Sequence, residues 1–185
     1  MLFRSQDGID GANPMLFGGY GTIPAEVLER EYPMVVEGFG FVPDSAGAGK
    51  HRGALAVYRK WRFLERGHIM VRTNKPSRAA KGLAGGKSGT VSANVFNPDA
   101  ERRDLPRQSH LHLEVQPGDR LFHATPGSGG YGDPYERAPE QVLADVLEDK
   151  ISLPAARDAY GVVIDGKSMT VNMAATRELR HNRGL

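Results

Sequence analysis

The sequence predicts an α+β protein: a β-rich body of antiparallel strands, sandwich- or barrel-like, with a small helical segment at its C-terminal end. Three observations carry that expectation. Apolar and polar residues alternate over residues 35–42, 54–64, 110–115 and 120–125, and a period of two places alternate side chains on one face of a strand. After residue 139 the period lengthens, and Val142, Leu143, Val146 and Leu147 fall on one helical stripe. The 23 glycines and 12 prolines suit many turns rather than long helices. The expected division is a β-rich domain with Gly-rich loops over residues 1–135 and a helical tail packed on it over residues 136–185.

Taken in order, residues 1–22 are turn-rich and aperiodic. Met15, Leu16 and Phe17, followed by Gly18, Gly19 and Tyr20, are expected to lie against another polypeptide or a second copy of this chain. A short helix is predicted over residues 24–31, with Pro24 where a missing N–H costs least. Val35, Val36, Phe39, Phe41 and Val42 make a strand, and Gly38 and Gly40 mark a bulge or a close approach. A loop over residues 43–50 leads to a long strand, 54–64, and the tight turn Glu65-Arg66-Gly67 predicts a hairpin with residues 68–73. A further strand is expected at 91–96. Then come two neighbouring strands at 110–115 and 120–125, joined by Gln116-Pro117-Gly118-Asp119. Helices are predicted over 139–148, from an N-cap at Ser152 to Gly161, and over 171–181, with residues 162–166 extended between the last two.

A net charge of +2 with scattered basic residues points to neither nucleic acid nor membrane. No stretch has the length of a membrane span, and the first residues lack the apolar core of a signal peptide. Cysteine is absent, which excludes disulfides, thiolate metal sites and cysteine nucleophiles and fits a reducing compartment. A cytoplasmic protein is expected.

The densest candidate for function is the loop over residues 125–134. Gly127, Gly129, Gly130, Tyr131 and Asp133 are its candidate substrate- or partner-contacting residues. Glycines there permit positive φ and close backbone approach, and such a loop can turn its N–H groups outward to a ligand or serve only as a folded corner. A second Gly-rich segment, residues 82–90, contains Gly86-Lys87-Ser88 but lacks the spacing and the preceding strand of a phosphate loop. His110, His112 and Glu114 share one strand face, and the two imidazoles are candidate metal ligands without a third that spacing fixes. The same face is also the solvated side expected of a strand that buries Leu111, Leu113 and Val115. His51 and His123 stand alone, and Asp44, Asp119 and Asp133 sit in turns where aspartate caps backbone. No His/Asp partner can be assigned to Ser45, Ser88 or Ser128.

Residues 24–33, 43–53, 82–87, 125–134 and 152–162 together resemble the hydantoinase B/oxoprolinase family, in order and over nearly the whole chain. Members of that family are subunits or domains of ATP-dependent cyclic-amide hydrolases, such as 5-oxoprolinase and N-methylhydantoinase, and of related ketone carboxylases. The resemblance implies that this chain corresponds to the C-terminal portion of a B-type subunit. Its implied partners are an A-type subunit that binds ATP and phosphorylates the substrate, and the N-terminal part of the B-type subunit, which carries the family's metal-binding segment. It further implies a cyclic amide of the 5-oxoproline or hydantoin class as substrate. ATP and a divalent metal are expected at the level of the complex and neither on this chain alone, which is expected to be inactive by itself. Residues 72–81 depart from the family pattern, which leaves the substrate open. A non-catalytic assembly role and ketone carboxylation are the alternatives.

Overall fold

The computed structural model describes residues 9–11, 23–73, 77–106 and 110–182. The apolar stretch from Met15 to Tyr20 lies outside the described residues. Helix α1 (Ala25–Glu31) follows Pro24 and buries none of its residues. It is fastened to strand β1 (Met34–Val42) by Glu29, whose Oε1 accepts the Val36 N–H at 2.8 Å. The pairing register of β1 slips between Val36 and Gly38, so the bulge expected at the glycines is present. Across the strand Gly38 and Gly40 both leave room for the Tyr58 ring.

The remaining strands are β2 (Ala56–Phe63), β3 (Gly67–Arg72), β4 (Ala93–Phe96), β5 (Arg103–Asp104), β6 (His110–Val115) and β7 (Arg120–Ala124). They form a five-stranded sheet in the order β1-β2-β7-β4-β5 and a two-stranded sheet of β3 and β6, with every pairing antiparallel. Two sequence expectations are corrected here. β2 and β3 do not form a hairpin, and β6 and β7 do not pair with each other. At each short turn the chain leaves one sheet for the other. Both edges of β2 are occupied, by β1 and by β7, so β3 cannot lie beside it. Instead Val71, Leu111 and Val115 of the small sheet pack face to face on Phe63, Phe96 and Leu121 of the large one. Facing sheets bury apolar side chains from both inner surfaces, which a hairpin alone does not. The turn before β7 still closes against β2, since the Phe63 N–H donates to the Asp119 carbonyl and the Gly118 N–H to that of Phe63, both at 2.8 Å.

Beyond a 3-10 turn at Pro134–Glu136 come α2 (Pro139–Leu147), α3 (Leu153–Tyr160), a small hairpin of β8 (Ile164–Asp165) and β9 (Thr170–Val171), and α4 (Met173–His181). Ser152 caps α3 by accepting the Ala155 N–H at 3.1 Å, and Gly161 ends it in the left-handed region at φ 63°. Val171 belongs to β9 rather than to the last helix, because Asn172 is the N-cap of α4 and accepts the Ala175 N–H at 3.0 Å. A second core forms here from Val142, Val146, Ile151, Ala156, Tyr160 and Val162, and Ala48 from the 43–50 loop joins it.

Candidate functional site

Three separate chain segments, residues 44–53, 80–90 and 125–133, meet in one backbone joint. The Tyr131 N–H donates to the His51 carbonyl and the His51 N–H to that of Tyr131, both at 3.0 Å. On its other side, Leu83 N–H donates to the Gly130 carbonyl and Gly132 N–H to the Leu83 carbonyl, again at 3.0 Å. Gly130 N–H donates to the Lys87 carbonyl at 2.9 Å, and Lys87 N–H to that of Ala48 at 2.7 Å. The approach is so close that a Cβ on Gly130 would overlap the Ala48 carbonyl, and one on Gly47 the Lys87 carbonyl. Backbone contact of this kind admits only glycine.

This joint corrects the expectation for the 125–134 loop in two respects. Gly127, Gly129 and Gly130 are not in the positive-φ region; Gly132 alone in this loop is, at 76°. Nor are the N–H groups turned outward: those of Gly127, Ser128, Gly130, Tyr131 and Gly132 donate to carbonyls of Thr90, Ala54, Lys87, His51 and Leu83. Asp133 caps the 3-10 turn by accepting the Tyr135 N–H at 3.0 Å. What the joint does present is the Tyr131 side chain, 57% exposed, beside Leu83, 68% exposed, with the Tyr131 ring stacked over His51 at 6.4 Å. Gly86, Lys87 and Gly89 likewise donate to backbone carbonyls, so Gly86-Lys87-Ser88 offers no phosphate cradle.

Directly behind the joint lies a buried ion cluster that no motif announced. Asp145 on α2 accepts from Arg137 Nη2 at 2.8 Å and from Arg52 Nε at 3.3 Å, and all three residues are at most 5% exposed. Arg137 also grips Asp10 through both Nη atoms, at 2.7 Å each. Burial alone would raise the Asp10 carboxyl, but the Arg137 guanidinium holds it below its ordinary value. Burial pushes the neighbouring Tyr160 hydroxyl up to about 12. The cluster ties four parts of the chain together.

The third feature is a cleft of about 320 Å³ on the inner face of the five-stranded sheet, under α1 and β3. Trp61, Ile69 and Leu121 supply apolar wall, and Arg59, Arg72 and His123 supply the polar groups. Arg59, His123 and Asn94 are direct cross-strand neighbours on β2, β7 and β4, so a polar row crosses a face that otherwise buries core. His123 Nδ1–H donates to Asn94 Oδ1 at 2.6 Å, and Asn94 Nδ2 donates to Thr73 Oγ1 at 2.8 Å. Burial, with the Arg59 charge second, lowers the His123 pKa below 6.5.

This shift has a measurable consequence. Above pH 6.5 the ring is neutral whether folded or unfolded and contributes nothing to the pH dependence. As the pH falls below 6.5 the unfolded chain takes up the proton more readily, so stability declines toward the depressed folded value. Chemical denaturation at neutral and mildly acid pH should therefore show a smaller acid loss in His123→Gln than in the parent.

His110 and His112 are both exposed on the outer face of β6, opposite Arg72 and Met70. Glu114 on that face engages Arg66 at 2.7 Å. Among the described residues no group of three or more His, Cys, Asp or Glu is placed to hold a metal ion. Of the sequence candidates, the joint brings Gly127, Gly129, Gly130 and Tyr131 together, and the two histidines stand apart from it. Missed were Asp10, Arg52, Arg137 and Asp145, and the Arg59–His123–Asn94 row. The row did leave a signal, because each member shares its strand parity with a core residue: Trp61, Leu121 and Phe96.

The family model described as hydantoinase B/oxoprolinase matches residues 3–134. The chain is 31% identical to the beta subunit of the caprolactamase of Pseudomonas jessenii over 182 residues, covering 96% of this chain and 31% of that one. It is 30% identical to the B component of a putative D-/L-hydantoinase from a Pseudomonas species over 176 residues, or 95% of this chain and 29% of the relative. The crystal structure of the ATP-dependent caprolactamase from Pseudomonas jessenii superposes with a TM-score of 0.75 at 30% identity, over 94% of this chain and 33% of that one. The chain thus spans about three tenths of the length of these relatives.

Proposed function

Because this chain belongs to the hydantoinase B/oxoprolinase family, we propose that it forms part of a B-type subunit in an ATP-dependent hydrolase that opens small cyclic amides. The supporting observation is that the family match, residues 3–134, takes in all three segments of the glycine joint. The joint is the hardest part of the fold to reproduce by chance, since each segment must offer glycine where another segment's backbone passes. The substrate class follows the names of the relatives, a caprolactamase and a hydantoinase, and extends to 5-oxoproline.

In this reading an A-type subunit supplies ATP binding and transfers the γ-phosphoryl group to the amide oxygen. A first water then adds to the carbonyl carbon and the ring C–N bond breaks as the ring nitrogen takes up a proton, leaving an acyl phosphate. A second water hydrolyses that to the carboxylate and inorganic phosphate. In this reading ATP and a divalent metal are held by the other polypeptides of the complex. In support of it, the N–H groups of Gly86, Lys87, Gly127, Gly130 and Gly132 already donate to backbone carbonyls, and no group of three or more His, Cys, Asp or Glu among the described residues is placed to hold a metal ion. This chain's part is positional. Gly127, Gly129 and Gly130 fix the backbone that presents Tyr131 to the substrate side or to the partner, and Asp133 holds the exit from the loop.

The test is reconstitution of this chain with an N-terminal B-type polypeptide and an A-type subunit. Lactam opening should require ATP and all three components, and omission of this chain should abolish it. Turnover that depends on bicarbonate would replace hydrolysis by ketone carboxylation. Stable assembly without any turnover would leave only an assembly role.

A further inference from the structure

The polar row on the inner sheet face asks for an explanation, since core-facing positions are normally apolar and their polar groups paired. Asn94 and Thr73 are 8% and 5% exposed; Asn94 donates to Thr73 Oγ1 and accepts from His123, so the pair fixes the direction of the His123 ring. With Nδ1–H given to Asn94, the ring carries its lone pair on Nε2, turned away from Asn94 toward the cleft that His123 lines. Nε2 has no protein partner among the described residues. Arg59 stands on the inner wall of the same cleft and Arg72, which leaves β3 on its exposed face, stands at the rim; no acidic residue lines the cleft. Neither guanidinium has a carboxylate partner among the described residues, and Arg59 rests on the Phe39 ring at 5.4 Å. A concave apolar space with a few convergent polar groups is the usual form of a small-molecule site.

We propose that this cleft binds a small organic carboxylate whose apolar body also carries an N–H or O–H donor. The carboxylate pairs with Arg59 and Arg72, whose forked donors suit it. The N–H or O–H donates to His123 Nε2, and the apolar body lies against Trp61, Ile69 and Leu121. An anion without a donor would leave Nε2 unmatched, and a donor without a negative charge would leave two cations unmatched. The site belongs to this chain alone, so it stands whether or not the reconstituted complex turns over.

Three probes that share an isobutyl body separate these contributions: N-acetyl-L-leucine, N-acetyl-L-leucinamide and 4-methylpentanoate, which lacks the acetamido group. The readout is the imidazole 15N signal of His123 in the full 185-residue chain at neutral pH. N-acetyl-L-leucine should shift Nε2 saturably in the millimolar range, as a ligand of so few atoms allows. The leucinamide, lacking the charge, should bind about tenfold more weakly. The pentanoate, lacking the donor, should also bind more weakly and leave Nε2 nearly unmoved. In the Arg59→Met/Arg72→Met variant the preference for acid over amide should vanish. Equal binding of all three probes, or no saturable shift of Nε2, overturns the proposal on the parent protein alone. An acid preference that survives in a folded double variant also overturns it.

Discussion

Replacing Asp145 with alanine should cost about 3–5 kcal/mol of folding stability, the range for removing one partner of a buried ion pair. The carboxylate serves two guanidiniums, those of Arg52 and Arg137, at 3.3 and 2.8 Å. Both arginines are at most 5% exposed, so water cannot take its place. Arg137 would retain Asp10, but among the described residues the Arg52 guanidinium would keep only the Gly53 carbonyl, at 2.8 Å from its Nη1. Asp145→Asn separates charge from cavity, because it preserves volume and removes the negative charge; most of the loss should remain. Urea denaturation with an unchanged m-value is the measurement. A comparison is the pair Arg30–Glu31, whose side chains are 81% and 54% exposed and whose rupture should be immeasurable. An Asp145→Asn protein as stable as the parent would show that the cluster carries no net stabilisation.

Gly130→Ala should be the second severe substitution, at about 3 kcal/mol, the upper end for overpacking. The added methyl meets the carbonyls of Ala48 and Gly47, which are themselves held in the joint, and no side-chain rotation relieves the overlap. Gly118→Ala is the informative contrast. Gly118 has φ +90°, yet a Cβ there meets nothing within 4 Å. Its cost is backbone strain alone, about 1 kcal/mol. Thermal or urea unfolding should place Gly130→Ala well below Gly118→Ala. The reverse order would mean that the joint yields and that φ, not contact, governs these glycines. Because Gly130 supports Tyr131 through the same bonds, the reconstituted complex should lose turnover in step with folded Gly130→Ala chain.

The local chemistry of this protein was legible in its residues. Ser152 with Pro154 announced the start of α3 and Gly161 its end, because a cap needs only near neighbours in the chain. Period-two alternation marked β1, β2, β6 and β7 within a residue or two, and Gly38 marked the bulge. The same alternation says which face a side chain takes and not which strand stands beside it. Glu65-Arg66-Gly67 therefore read as a hairpin, although the chain turns there between two sheets, and only the filled edges of β2 exclude the hairpin. His123 and Asn94 stood on core-facing parity all along, but their meaning required knowing that β4 and β7 are neighbours.

The sequence by itself determined the α+β class, the helix caps, the alternating faces and membership of a family, since each rests on residues close in the chain or on motifs in fixed order. Tertiary structure decided the rest. Asp10 and Arg137 are 127 positions apart, and their pairing depends on closing that whole length of chain around α2 and the joint. The glycines of the 125–134 loop looked like turn residues because one segment shows only its own backbone. The carbonyls of Ala48 and Lys81 that exclude a Cβ on Gly130 and Gly129 come from segments about eighty and fifty positions away, and proximity of that kind leaves no local pattern to read.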